Sequence, residues 1–121
     1  MDLVFSLHGR VAYALVLYYT LVGLWAIFQG IRDRGPNASL RGAIAIATGA
    51  AVVQGVLGIL VLVFRGAPAD SVHMLYGVAL AVAMPLAATV VRDRTPRGQS
   101  IALGLAALFT AGLAIRGITT A

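Results

Sequence analysis

Apolar residues fill four long stretches of the chain, and short segments rich in Arg, Asp, Gly, Pro and Asn separate them. A helix needs about 20 predominantly apolar residues to cross the hydrocarbon of a bilayer. The four stretches meet that length near 4–31, 40–64, 72–91 and 99–118. The first connector carries Arg32-Asp33-Arg34-Gly35-Pro36-Asn37, the second Arg65-Gly66-Ala67-Pro68-Ala69-Asp70, and the third Arg92-Asp93-Arg94-Thr95-Pro96-Arg97-Gly98. Gly and Pro end helices there for backbone reasons, through permissive φ or a missing N–H. Links this short predict that consecutive helices are antiparallel neighbours. The expected fold is all-α: a polytopic membrane four-helix antiparallel bundle, one transmembrane domain over residues 1–121.

Composition agrees with that pattern. Of the 121 residues, 60% are hydrophobic and 11% charged, with a mean hydropathy of +0.95. Soluble domains run near about 45–50% apolar and about 25% charged, and a globule this small cannot hide such an excess of apolar surface. A soluble enzyme and a nucleic-acid binder are both excluded. The basic pI of about 10.8 comes from arginines at span ends rather than from a basic face. The chain begins Met1-Asp2 with no basic segment, and its first apolar run is longer than a secretory signal, so the first helix is expected to be retained.

Arginine placement sets an expected orientation. Arg32, Arg34 and Arg41 flank the first connector and Arg92, Arg94 and Arg97 the third, against Arg10, Arg65 and Arg116 at the other side. Positive charge favours the cytoplasmic side. Both termini are therefore expected outside, in a bacterial or archaeal inner membrane, with the lipid bilayer as the principal surroundings.

The two halves of the chain also resemble one another. Ser6-Leu7-His8 matches Ser71-Val72-His73, and Arg32-Asp33-Arg34 matches Arg92-Asp93-Arg94. Arg41-Gly42 and Arg65-Gly66 bracket helix 2 as Arg97-Gly98 and Arg116-Gly117 bracket helix 4. His8 to Arg32 and Arg41 to Arg65 are each 24 residues, whereas His73 to Arg92 and Arg97 to Arg116 are each 19. The second hairpin thus reads as the first, about five residues shorter in each helix. Such a parallel repeat has its pseudo-two-fold axis along the membrane normal, which makes His8 and His73 equivalent positions at one depth.

That equivalence points to chemistry. The chain has no Cys, Lys or Glu, and its only carboxylates are Asp2, Asp33, Asp70 and Asp93, all in or beside connectors. Thiolate ligation, covalent haem attachment and carboxylate-pair catalysis lack their residues. Ionisable side chains inside spans usually face the bundle interior. Two imidazoles from opposite sides of a bundle can hold haem b iron axially, leaving no open position for oxygen chemistry. Interfacial or structural histidines, and a metal or proton-relay pair, are the other readings of the same residues. Ala12 and Gly77, one turn after His8 and His73, suit a flat ligand or simply close helix packing. Arg10, Arg65 and Arg116 stand at the same end, where haem propionates would be paired. Gln54, deep in helix 2, either donates to a cofactor edge or bonds another helix. Tyr13, Tyr18, Tyr19, Trp25 and Phe28 read as packing and lipid-facing aromatics, with Trp25 and Phe28 in the interfacial belt. Pro85 predicts a kink in helix 3. Gly49, Gly55, Gly58, Gly104 and Gly112 read as sites of close backbone approach.

A His at the start of one helix, Gln54-Gly55-Val56-Leu57-Gly58 in the next, then Pro68 leading to His73, resembles the four-helix half of the haem A synthase family over about residues 6–91. The resemblance implies a haem-binding helical bundle with His8 and His73 as axial ligands and Gln54 on its wall. The family's active half usually carries E-x-x-H-R. Here Phe5 stands at the glutamate position, Gly9 separates His8 from Arg10, and the loop cysteines are missing. What carries over is haem binding and not oxygenation. The expected function is a small b-type cytochrome or haem holder working with a redox partner, a larger membrane complex or as a homodimer. The alternatives are a structural subunit of such a complex and a minimal haem A synthase-like enzyme.

Overall fold

The computed structural model describes residues 2–66 and 71–120. It contains four helices: α1 (Asp2–Ile31), α2 (Ala38–Arg65), α3 (Val72–Val90) and α4 (Pro96–Thr120). Among the described residues there is no strand. All four helices are long and apolar enough to cross a membrane. Ala67, Pro68, Ala69 and Asp70 of the second connector lie outside the described residues, as do Met1 and Ala121.

The helix ends fall one to three residues beyond the expected spans at several points, and capping explains why. Asn37 accepts a hydrogen bond from the Leu40 N–H at 2.8 Å, so α2 begins at Ala38. Thr95 accepts from the Gly98 N–H at 3.1 Å, so Pro96 is the first residue of α4, where a missing N–H costs nothing. α1 ends in a Schellman turn: the Arg34 N–H bonds to Gln29 O at 2.8 Å and the Asp33 N–H to Gly30 O at 2.9 Å. Asp33 takes the left-handed position of that turn, at φ 58°, which glycine usually fills. The helices have 30, 28, 19 and 25 residues. The shortening of the second hairpin is therefore concentrated in α3 rather than shared equally, because Pro96 brings part of the third connector into α4. α3 continues through Pro85.

Buried positions follow helical spacing. In α2 they are Leu40, Ile44, Ala47, Ala51 and Gln54, alternately four and three residues apart, which traces one stripe. Leu15, Tyr19, Val22, Ala26 and Gly30 form the matching stripe of α1. α4 contributes Ser100, Leu103, Gly104, Ala107, Thr110, Ala111 and Ala114, and α3 contributes Leu80 and Met84. The helices follow one another around this core in chain order, α1 packing on α2 and α4, and α3 on α2 and α4. Large apolar side chains also face outward on every helix, including Leu17, Val63, Leu75 and Phe109. That distribution suits a lipid exterior.

The seams differ. α1 and α4 meet most extensively and α2 and α3 least. At the α1–α4 seam the backbones touch: a Cβ on Gly104 would lie 2.8 Å from Gly23 O and 2.9 Å from Ile27 N, and one on Gly23 would lie 2.9 Å from the Leu108 side chain. A Cβ on Gly30 would collide with Ile101. Of the glycines read as close-approach sites, Gly104 and Gly58 are such sites. Gly49, Gly55 and Gly112 are not, since a Cβ there would meet nothing within 4 Å; they face away from neighbouring helices. Gly23 and Gly30 carry the approach instead.

Gly104→Ala should destabilise the protein by about 1–3 kcal/mol, because the backbone atoms Gly23 O and Ile27 N stand in the way of the methyl group. Gly49→Ala should stabilise by up to about 1 kcal/mol through helix propensity. Helical circular dichroism during unfolding in detergent micelles checks both signs.

Candidate functional site

His8 stands in the second turn of α1 and His73 at the start of α3, 65 positions further along the chain. The two helices belong to different hairpins, yet the imidazole centroids lie 6.0 Å apart with ring planes at 80°. Both rings are half-buried. The chain's only two histidines thus meet within the bundle.

Each imidazole is approached from behind by a different helix. Nδ1 of His73 lies 2.8 Å from Gly117 O and 3.3 Å from Thr120 Oγ1, both in the last turn of α4. A carbonyl can only accept, so Nδ1 of His73 carries the proton and donates it. In the neutral ring this leaves the lone pair on Nε2, the arrangement typical of a metal-ligating histidine. Thr120 Oγ1 itself donates to Arg116 O at 2.8 Å, which leaves its oxygen free to accept from His73.

On the other side, Gln54 of α2 is buried and its Nε2 donates to the backbone O of His8 at 2.8 Å. Gln54 Oε1 and His8 Nδ1 are both buried with no hydrogen-bond partner. Two complementary orphans on residues already joined through Gln54 Nε2 place an acceptor in the neighbourhood of His8 that corresponds to Gly117 beside His73. Gly58, one turn after Gln54, gives the ring its room: a Cβ there would lie 3.2 Å from His8 Cε1.

The remaining expected site residues divide. Arg65 pairs with Asp2, and its guanidinium sits 4.3 Å from the Phe5 ring centroid. Arg116 lies 5.7 Å from the Tyr76 ring. Arg10 is exposed, Ala12 half-buried and Gly77 exposed. A Cβ on Gly77 would meet nothing within 4 Å, so the face one turn beyond His73 is open.

The donor set can be tested against the group it was expected to hold. Imidazole rings 6.0 Å apart are close enough that both would be within reach of one iron. Among the described residues no group of three or more His, Cys, Asp or Glu could hold a metal ion. Two imidazoles therefore suit an iron whose other ligands come from a macrocycle better than a bare tetrahedral ion.

Tyr18 and Tyr19 hold α1 against α2 on the way to the site, a role not evident from their aromatic character. Tyr19 is buried and its hydroxyl donates to Ala47 O at 3.1 Å; the Tyr18 hydroxyl donates to Ala43 O at 2.9 Å. Phe28, by contrast, is exposed with the Arg32 guanidinium 5.5 Å from its ring.

No protein-family model, curated protein or solved structure matches this chain.

Nitrogen-15 NMR of the neutral protein should show His73 as the Nδ1–H tautomer. Replacing Thr120 with Val should leave that tautomer in place, because the Gly117 carbonyl remains.

Proposed function

We propose that this chain is a small b-type haem-binding integral membrane protein in which His8 and His73 are the axial ligands. The observation that carries the proposal is the meeting of those two imidazoles, from separate hairpins, at 6.0 Å. Four apolar helices of spanning length support the membrane setting. The pairing of His8, Tyr18 and Tyr19 with Gln54, Ala43 and Ala47 supports antiparallel packing of α1 and α2. The arginine distribution supports a topology with both termini outside, and the equivalence of His8 and His73 supports a parallel repeat.

When bound, haem held by two imidazoles supplies a one-electron couple without an open position for oxygen. The chain's own residues account for the rest. His73 presents Nε2 because Gly117 engages Nδ1. Gln54 fixes the backbone of His8 and brings an acceptor to its ring's vicinity. Gly58 keeps bulk away from the His8 ring, and Arg10 stands at this end for an anionic ligand edge. Phe5, where the haem A synthase pattern has Glu, supplies no carboxylate, so the reading is electron transfer or haem holding rather than oxygenation. A redox protein or a larger membrane complex is the corresponding partner.

The purified protein, or the protein reconstituted with haemin, should show a Soret band and sharp α and β bands on reduction. His8→Ala and His73→Ala should each abolish or reshape that spectrum. Gln54→Leu, which leaves both ligands in place, should weaken haemin binding about tenfold. A colourless protein that takes up no haemin overturns the proposal, and co-purification with a partner complex that tolerates loss of both histidines supports a structural subunit instead.

A further inference from the structure

The loosest seam of the bundle, between α2 and α3, carries a lateral groove of about 350 Å³. Ala45 and Thr48 of α2 face Met84, Pro85 and Ala88 of α3 across it, and Arg41 stands at its mouth. Small side chains on both walls leave the space between the helices unfilled, and its lining is almost wholly apolar. The distance along α2 from Arg41 to Thr48 is about 10 Å at 1.5 Å per residue, so the groove reaches well into the span.

Arg41 is held over that groove rather than free in solvent. Its Nε donates to Pro36 O at 3.3 Å and its Nη2 to Gln99 Oε1 at 3.2 Å. Gln99 in turn donates to Arg92 O at 3.2 Å and Arg94 O at 3.1 Å, just past the end of α3. The guanidinium is thus tethered between the start of α2 and the α3–α4 turn. Two of its five N–H groups are engaged in this way among the described residues, which leaves donors for an anion. The same end carries Arg32, Arg34, Arg92, Arg94 and Arg97 against only Asp33 and Asp93.

We propose that the α2–α3 groove is a binding site for one anionic phospholipid, with an acyl chain along Ala45, Thr48, Met84 and Ala88 and the headgroup phosphate on Arg41. An apolar groove that opens sideways suits a hydrocarbon chain, and a positioned guanidinium at its mouth suits phosphate geometry. The excess of arginines favours a headgroup with net negative charge over a zwitterionic one, whose ammonium they repel. This inference rests on the chain lying in a bilayer and is independent of the histidine pair.

Native mass spectrometry of the full-length protein, with phosphatidylglycerol or phosphatidylcholine of identical acyl chains, tests it. The wild type should retain one phosphatidylglycerol per chain with about tenfold preference over phosphatidylcholine. Arg41→Gln should remove the preference. Ala88→Phe and Ala45→Leu, which fill the groove from opposite walls, should each lose both lipids while keeping helical circular dichroism. Arg10→Gln, at the other end, should keep the wild-type preference between the two lipids. Equal retention of the two lipids by the wild type overturns the proposal. So does phosphatidylglycerol retained undiminished by both groove-filling variants, or an Arg10→Gln loss as large as that of Arg41→Gln. Haemin spectra of the same samples report on the histidine pair separately.

Discussion

The backbone contact between α1 and α4 is the constraint from which the rest of the arrangement follows. Gly23 and Gly104 face each other so closely that neither position has room for a methyl group, and Gly30 lies against Ile101 in the same way. Without a hydrophobic driving force between helices in lipid, close backbone approach and dispersion are the main sources of association. Drawing α1 and α4 together places one member of each hairpin at the tightest seam. The opposite seam, between α2 and α3, is consequently the loosest. The four-helix arrangement is thus asymmetric, with a closed side and an open side.

Polar groups then fix the helices that the glycines do not. Inside a medium without water, each hydroxyl and amide must find a partner within the protein. Tyr18, Tyr19 and Gln54 do so on backbone oxygens across the α1–α2 seam. Ser100 does so across α4 and the first connector, donating to Arg34 O at 2.6 Å. These bonds are few and specific, and they set register where a Gly/Ala-rich surface would permit sliding. At the histidine end the accounting is incomplete within the protein: His8 Nδ1 and Gln54 Oε1 are buried and unpartnered. Such orphans are uncommon in native interiors, and they sit at the proposed ligand site.

Much of the fold was legible in the sequence because its dominant signal is a simple one. Apolar runs of spanning length, closed by Arg, Gly and Pro, identify four helices without reference to tertiary context. The residues that correct the boundaries, Asn37, Thr95 and Pro96, carry standard capping chemistry and were readable in principle. The meeting of His8 and His73 was anticipated from their matching contexts, Ser6-Leu7-His8 and Ser71-Val72-His73. Other features were hidden for physical reasons. Whether a glycine marks a helix contact depends on which way its face turns, and that distinguishes Gly104 from Gly49 and Gly112 although all three lie within apolar helices. The partner of His73 is a backbone carbonyl, Gly117 O, and every residue has one, so no side-chain pattern announces it. Tyr18 and Tyr19 looked like packing aromatics because an aromatic ring in a span gives no sign of where its hydroxyl ends.

The two ends of the bundle are specialised in different ways. At the histidine end, Gly58 leaves room beside the His8 ring, Gly117 of α4 engages the His73 ring, and Gln54 of α2 holds the His8 backbone. At the arginine end, Arg41 of α2 reaches Gln99 of α4, which is itself bonded to Arg92 O and Arg94 O just past α3. A guanidinium that has to reach across a seam to find an amide leaves the apolar walls below it to be covered by something other than the protein. In a bilayer the nearest molecule with both a hydrocarbon chain and a negative charge at that depth is a phospholipid. Tight packing on one side of the molecule therefore creates the space on the other.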